Sequence, residues 1–213
     1  MLSKRIRVDE AGTSLIEVLV TSVILGIALM IIYQVLGSVQ TAVSSELTRS
    51  ETNDTMRLAV HQIERQVRSG NLFYDPSVDN DPANGIYPGM TLRIYTQADG
   101  SVVANPNRCV QWRIFEETLQ HREWSPAWAV DGYVTGWRTV ADSVVNDTLS
   151  PEVPAFTLDT SDTKYGQRLL QIALVTNASP EQGPPLRVES SITGRNTGYG
   201  FPTSVCATLP PYA

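Results

Sequence analysis

Gly12-Thr13-Ser14-Leu15-Ile16-Glu17-Val18-Leu19-Val20-Thr21-Ser22-Val23-Ile24-Leu25-Gly26-Ile27-Ala28-Leu29-Met30-Ile31-Ile32-Tyr33 is the stretch that decides the fold. From Leu15 to Tyr33 it is apolar with a single charge, Glu17. Extended to Leu36 it gives roughly 22 residues, which at about 1.5 Å of rise each matches a hydrocarbon layer close to 30 Å thick. Gly26 and Ser22 are tolerated within such a span. The stretch therefore predicts a helix able to cross a membrane. A secretory signal has an apolar core of only about 7 to 15 residues, closed by a small-residue cleavage site. This run is longer, and Asp9 and Glu10 lie between it and the basic residues.

Glu17 needs a physical reason. An ionised carboxylate at the centre of a membrane helix costs about 2.5 to 3.5 kcal/mol on insertion scales, and less near an interface. A cationic partner is the simplest compensation, because opposite charges attract more strongly in a low-dielectric medium.

Read as Gly12 followed by Thr13-Ser14-Leu15-Ile16-Glu17-Val18, the segment resembles the N-terminus of type IV prepilins. In that family a short basic leader ends in Gly and a hydrophobic helix with an early Glu follows. The resemblance implies that a prepilin peptidase cuts after Gly12 and methylates the new amine of Thr13. It also implies that Glu17 meets that amine on a neighbouring pilin or pseudopilin subunit. The family usually has Phe where this chain has Thr13. Family members placed at the extreme tip lack the Glu, so its presence implies a position near the tip but not at its end.

Lys4, Arg5 and Arg7 orient the span with the leader in the cytoplasm and the remainder outside. The chain has 213 residues, a net charge of −6 and an isoelectric point near 4.9. Those values suit one anchor and one globular domain. Away from the leader no basic patch is apparent, and the acidic balance argues against nucleic acid as a partner.

Four segments are expected: a cleaved leader over 1–12, a transmembrane and assembly helix over 13–36, an amphipathic stem over 37–70 and a β-rich extracytoplasmic head over 71–213. Met56, Val60, Ile63 and Val67 share one helical face, while Arg65, Arg68 and Gly70 mark the end of the helix. The Ser- and Thr-rich stretch from Gln40 to Thr55 is expected to be marginal, since those side chains compete for backbone hydrogen bonds. Beyond Gly70 comes a loop rich in Pro, Asn and Asp. Strands are expected at 91–97, 109–115, 118–124, 137–141, 156–159, 168–176 and 186–192, separated by turns such as Asp99-Gly100, Asp131-Gly132 and Pro184-Pro185. The fold class is α+β, a long helix packed on an antiparallel sheet.

A more diffuse resemblance covers the head. Val110-Gln111-Trp112-Arg113-Ile114-Phe115, Leu119-Gln120-His121-Arg122 and Leu186-Arg187-Val188-Glu189-Ser190-Ser191-Ile192, closing on Arg195-Asn196, resemble the minor pseudopilins of the J family in type II secretion. The related W-type minor pilins are similar too, and Met56 to Ser69 fits the same pattern. The function implied is that of a structural subunit of a type IV pilus or type II secretion pseudopilus.

Cys109 and Cys206, both outside the cytoplasm in this reading, allow one disulfide between a strand and the Pro-rich tail, with two buried thiols as the alternative. No catalytic set is apparent. His61 and His121 lack an evident metal or nucleophile partner, and Glu116, Glu117, Asp142 and Asp147 read as solvated charges. Asp75, Asp79, Asn80 and Asp81 suit calcium by ligand type, but Ala83 interrupts the EF-hand spacing, so a plain acidic turn is expected. No cofactor is expected. Of the four tryptophans, Trp112 and Trp124 are assigned to the core, and Trp128, beside Pro126 and Asp131-Gly132, is expected to be the more exposed. An adhesin or surface binding protein on a single membrane anchor is the alternative; it predicts an intact leader and ligand binding by the head.

Overall fold

The computed structural model describes residues 14–97, 107–159, 169–178, 183–194 and 202–211. Lys4, Arg5, Arg7, Gly12, Thr13, Asp99-Gly100, Arg168 and Arg195-Asn196 lie outside the described residues. Helix α1 spans Leu15–Ser69. Strands β1 Leu72–Phe73, β2 Thr91–Gln97, β3 Asn107–Phe115, β4 Thr118–Trp124, β5 Arg138–Asp142, β6 Phe156–Asp159, β7 Leu169–Thr176 and β8 Leu186–Thr193 follow. A short 3-10 helix occupies Pro82–Asn84 and a single-turn helix, α2, occupies Trp128–Asp131. The architecture is α+β, a long apolar N-terminal helix with antiparallel sheets, consistent with a pilin-like fold. The chain divides into two compact units after Glu46.

In the first unit, α1 starts after Ser14, whose carbonyl accepts the amides of Glu17 and Val18 at 2.9 and 3.2 Å. Its apolar side chains are exposed, from Leu29 at 45% to Leu15 at 84%. α1 is long and apolar enough to cross a membrane.

The Ser- and Thr-rich stretch from Gln40 to Thr55 is helical throughout. Its hydroxyls bond back to the preceding turn without displacing the helix ladder. Thr41 donates to the Gly37 carbonyl at 3.1 Å, Ser45 to Ala42 at 2.9 Å, Thr52 to Thr48 at 2.9 Å and Thr55 to Glu51 at 2.9 Å. The hydroxyls find acceptors inside the helix, so the competition anticipated from composition does not break it.

In the second unit, Met56, Ala59, Val60, Ile63 and Val67 of α1 are buried. They join a core with Leu92, Ile94, Val110, Trp112, Ile114 and Leu119 from one sheet and Leu170, Ile172 and Leu174 from the other. Each large aliphatic side chain so buried is worth about 1.5–3 kcal/mol. The helix stops where the chain must pass close to the sheet. A Cβ on Gly70 would come within 2.9 Å of both Ile94 and Phe73, so only glycine fits.

The single antiparallel sheet expected from sequence is instead two sheets, one ordered β1-β2-β3-β4-β5 and the other β6-β7-β8. An isolated bridge from Val144 to Thr176 links them. Asn146, fully buried, holds the junction: its amide donates to the Val153 and Ala173 carbonyls at 3.0 and 2.7 Å, and its oxygen accepts the Val175 amide at 2.8 Å. β3 and β4 meet in a two-residue turn at Glu116 and Glu117, both with positive φ, at 50° and 56°. That left-handed geometry matches the strand twist but suits Asn-Gly better than two glutamates.

Candidate functional site

Of the N-terminal motif, Gly12 and Thr13 lie outside the described residues. Glu17 is described. It stands in the first turn of α1 with an exposed side chain, and its carbonyl accepts the Thr21 hydroxyl at 2.9 Å. Ser14 before the helix and Glu17 three residues on have the spacing of a capping box, and a carboxylate at this end is favoured by the helix dipole.

A second constellation lies at one end of the five-stranded sheet. Cys109 and Cys206 form a disulfide with Cα atoms 5.8 Å apart. Both are buried with Tyr95 and Trp124, and Leu72, Tyr74, Trp128 and Leu209 pack around them. The Pro-rich tail is held at further points. Tyr74 donates its hydroxyl to the Thr203 carbonyl at 2.8 Å and accepts the Cys206 amide at 2.9 Å. Arg93 donates to the Cys206 carbonyl at 3.0 Å, pairs with Asp79 at 2.5 Å and stacks on the Tyr74 ring at 4.2 Å. Burial pushes the Asp79 carboxyl up, against the pull of the Arg93 guanidinium.

This network also accounts for the acidic loop. Asp79 faces Arg93, Asp75 accepts the Ser77 amide at 2.9 Å and Asp81 accepts the Asn84 amide group at 2.7 Å. Each carboxylate has its own local role, and among the described residues no group of three or more His, Cys, Asp or Glu is placed to hold a metal ion.

Trp112 and Trp124 are fully buried. Trp128 is more exposed than either, as expected. It is half-buried against the disulfide cluster, and its neighbour Val130 is the exposed side chain, at 91%. Trp137 is a finding that strand alternation did not reveal: the Arg113 guanidinium lies 3.9 Å and that of Arg122 4.5 Å from its ring. Arg122 is only 1% exposed and donates to the Gln111 side-chain oxygen from Nε at 3.0 Å and Nη2 at 2.7 Å. In sequence, Arg93 and Arg113 stand between apolar residues, whereas Arg122 stands between His121 and Glu123. The available signal was the excess of tryptophans near these arginines.

His121 stacks against Trp112 with ring centres 4.6 Å apart and lies 3.4 Å from the Gln66 amide nitrogen. Gln66 in turn accepts the Trp112 indole N–H at 2.7 Å, which ties α1 to β3 and β4. Burial lowers the His121 pKa to about 4, only partly opposed by Glu123, with Arg138 lowering it further. His61, on the exposed face of α1, lies 3.4 Å from Glu64, whose other oxygen accepts the Ser190 hydroxyl at 2.7 Å. That hydrogen bond holds the Glu64 carboxyl below the usual range. Both histidines thus have packing or pairing partners in the fold. Searches against family models, curated proteins and solved structures find no match to this chain.

Proposed function

We propose that this protein is a minor pilin or pseudopilin, a structural subunit that leaves the membrane to join a type IV pilus or type II secretion pseudopilus. The observation that carries the reading is Glu17, an acidic residue in the first turn of a helix whose following side chains are apolar and exposed. The helix dipole returns about 0.3–1 kcal/mol to a carboxylate at this end. In the first turn the cost is below the roughly 2.5–3.5 kcal/mol of a charge at the bilayer centre, and a partner ammonium adds direct charge pairing to what the dipole returns. In this account prepilin peptidase cuts between Gly12 and Thr13 and methylates the Thr13 amine, and Glu17 pairs with that amine on the adjacent subunit. The apolar segment from Leu15 to Leu36 then moves from lipid into a bundle of like helices, and the head is carried outside the inner membrane near the fibre tip. The role is mechanical and requires no cofactor.

Glu17→Ala tests the reading. Membrane insertion should be unchanged, because the substitution makes the span more apolar, while recovery of the subunit in sheared or cross-linked fibres should fall several-fold. Wild-type recovery of the variant would overturn the pairing.

A further inference from the structure

The two halves of the disulfide are held in different ways. Cys109 lies within β3, which has β2 on one side and β4 on the other. In register it stands between Tyr95 and Trp124, and directly opposed residues of neighbouring strands share a face with Cβ atoms about 4.5–5.5 Å apart. Its sulfur is therefore flanked by two large rings, and Val205 and Leu209 of the tail pack against the same cluster. Cys206 instead lies on a segment, 202–211, that has no helix or strand. Tyr74 holds this segment through the Thr203 carbonyl and the Cys206 amide, and Arg93 holds it through the carbonyls of Cys206 at 3.0 Å and Ala207 at 3.3 Å. A segment attached at a few points opens at lower free energy than the strands beneath it. On opening, Cys206 leaves with the tail, whereas Cys109 stays between its two rings.

We propose that in the folded head Cys206 is the entry thiol for oxidation and Cys109 the resolving thiol, with Tyr74 and Arg93 as positioning residues that bring one to the other. The co-reactant is an oxidant that itself carries a disulfide, of the thiol oxidase class. With the tail open, the Cys206 thiolate attacks one sulfur of that disulfide. A mixed disulfide forms, and the oxidant's second sulfur leaves as a thiolate. The tail then docks on Tyr74 and Arg93, the Cys109 thiolate attacks the Cys206 sulfur, and the oxidant's first sulfur is expelled. Two cysteine thiols give up two electrons and two protons, and the oxidant's disulfide becomes two thiols. The reverse order would require the oxidant to fit between the rings of Tyr95 and Trp124.

The test uses the full chain in detergent micelles, two single-cysteine variants and oxidised glutathione as the probe, with adduct formation read by mass. C109S, which retains Cys206, should form the adduct at least about tenfold faster than C206S, which retains Cys109, because access limits the reaction. In denaturant the two should react alike. Adding Tyr74→Phe to C109S removes the hydroxyl that holds the tail while keeping the ring beneath Arg93, and should speed the adduct several-fold. That comparison stays within one cysteine background, so it holds whether or not C206S folds. An equal or faster reaction of folded C206S would overturn the order, as would a difference between the two variants that persists in denaturant. An unchanged rate after Tyr74→Phe would overturn the positioning role.

Discussion

The two parts of α1 on either side of Glu46 share one backbone geometry and differ in their surroundings. Up to Glu46 the large apolar side chains are exposed, whereas in the second unit Met56, Ala59, Ile63 and Val67 have no exposed surface. Soluble monomers rarely expose apolar patches larger than a few hundred Å². The first part therefore needs a lipid or protein environment that the second finds within its own head. The comparison also separates what hydrogen bonding does from what burial does, because the first part is helical with none of its most apolar window buried.

If the folded stability resides in the second unit, perturbations should register there and be silent in the first. The largest effect is expected from the disulfide. Cys109 and Cys206 are separated by 97 residues, and opening a loop of this size costs about 4–5 kcal/mol in the chain-entropy model. Denaturant unfolding with and without reductant measures it; equal midpoints would show that the disulfide contributes nothing. Next is Trp112→Ala, expected to cost about 3–5 kcal/mol through the cavity and the lost bond to Gln66. Ile24→Ala, on the exposed part of α1, should leave head unfolding within about 0.5 kcal/mol of the parent. Equal effects from these two substitutions would break the comparison.

His121 gives a pH signature of intermediate size. Its folded pKa near 4 lies below its ordinary value of 6.5, so between these values the unfolded chain binds more protons. Stability is then full above about pH 6.5 and falls as pH drops towards 4, by about 2–3 kcal/mol at most. His121→Gln should flatten that part of the profile. One change should be a gain. Replacing Glu116-Glu117 with Asn-Gly removes two left-handed glutamates from the hairpin turn and should stabilise the head by about 1 kcal/mol, read as a higher denaturation midpoint.

What could be read from the chain follows from how local each signal is. The apolar run after Glu17, the helical face of Met56, Val60, Ile63 and Val67, and most strands are set by periodicities of a few residues, and they stand where expected. The division into two sheets was not legible, because it depends on Asn146 bridging segments distant in sequence. β1 was missed since two residues carry no period. Nothing beside Arg93 or Arg113 marks the segments that fold over them, the C-terminal tail on Arg93 and Trp137 on Arg113. Glu17 could be found by sequence because its oddity is local, whereas the Asp79–Arg93 pair could not, since nothing near either residue marks the other.

The central claim is that Gly12 and Thr13 mark a processing site and that Glu17 serves assembly. Intact mass and N-terminal sequencing of the protein extracted from its native membranes test its first half directly. The account predicts a chain that begins at Thr13 and is one methyl group heavier than its unmodified sequence. A chain that begins at Met1, or one cut beyond the apolar run, would contradict it.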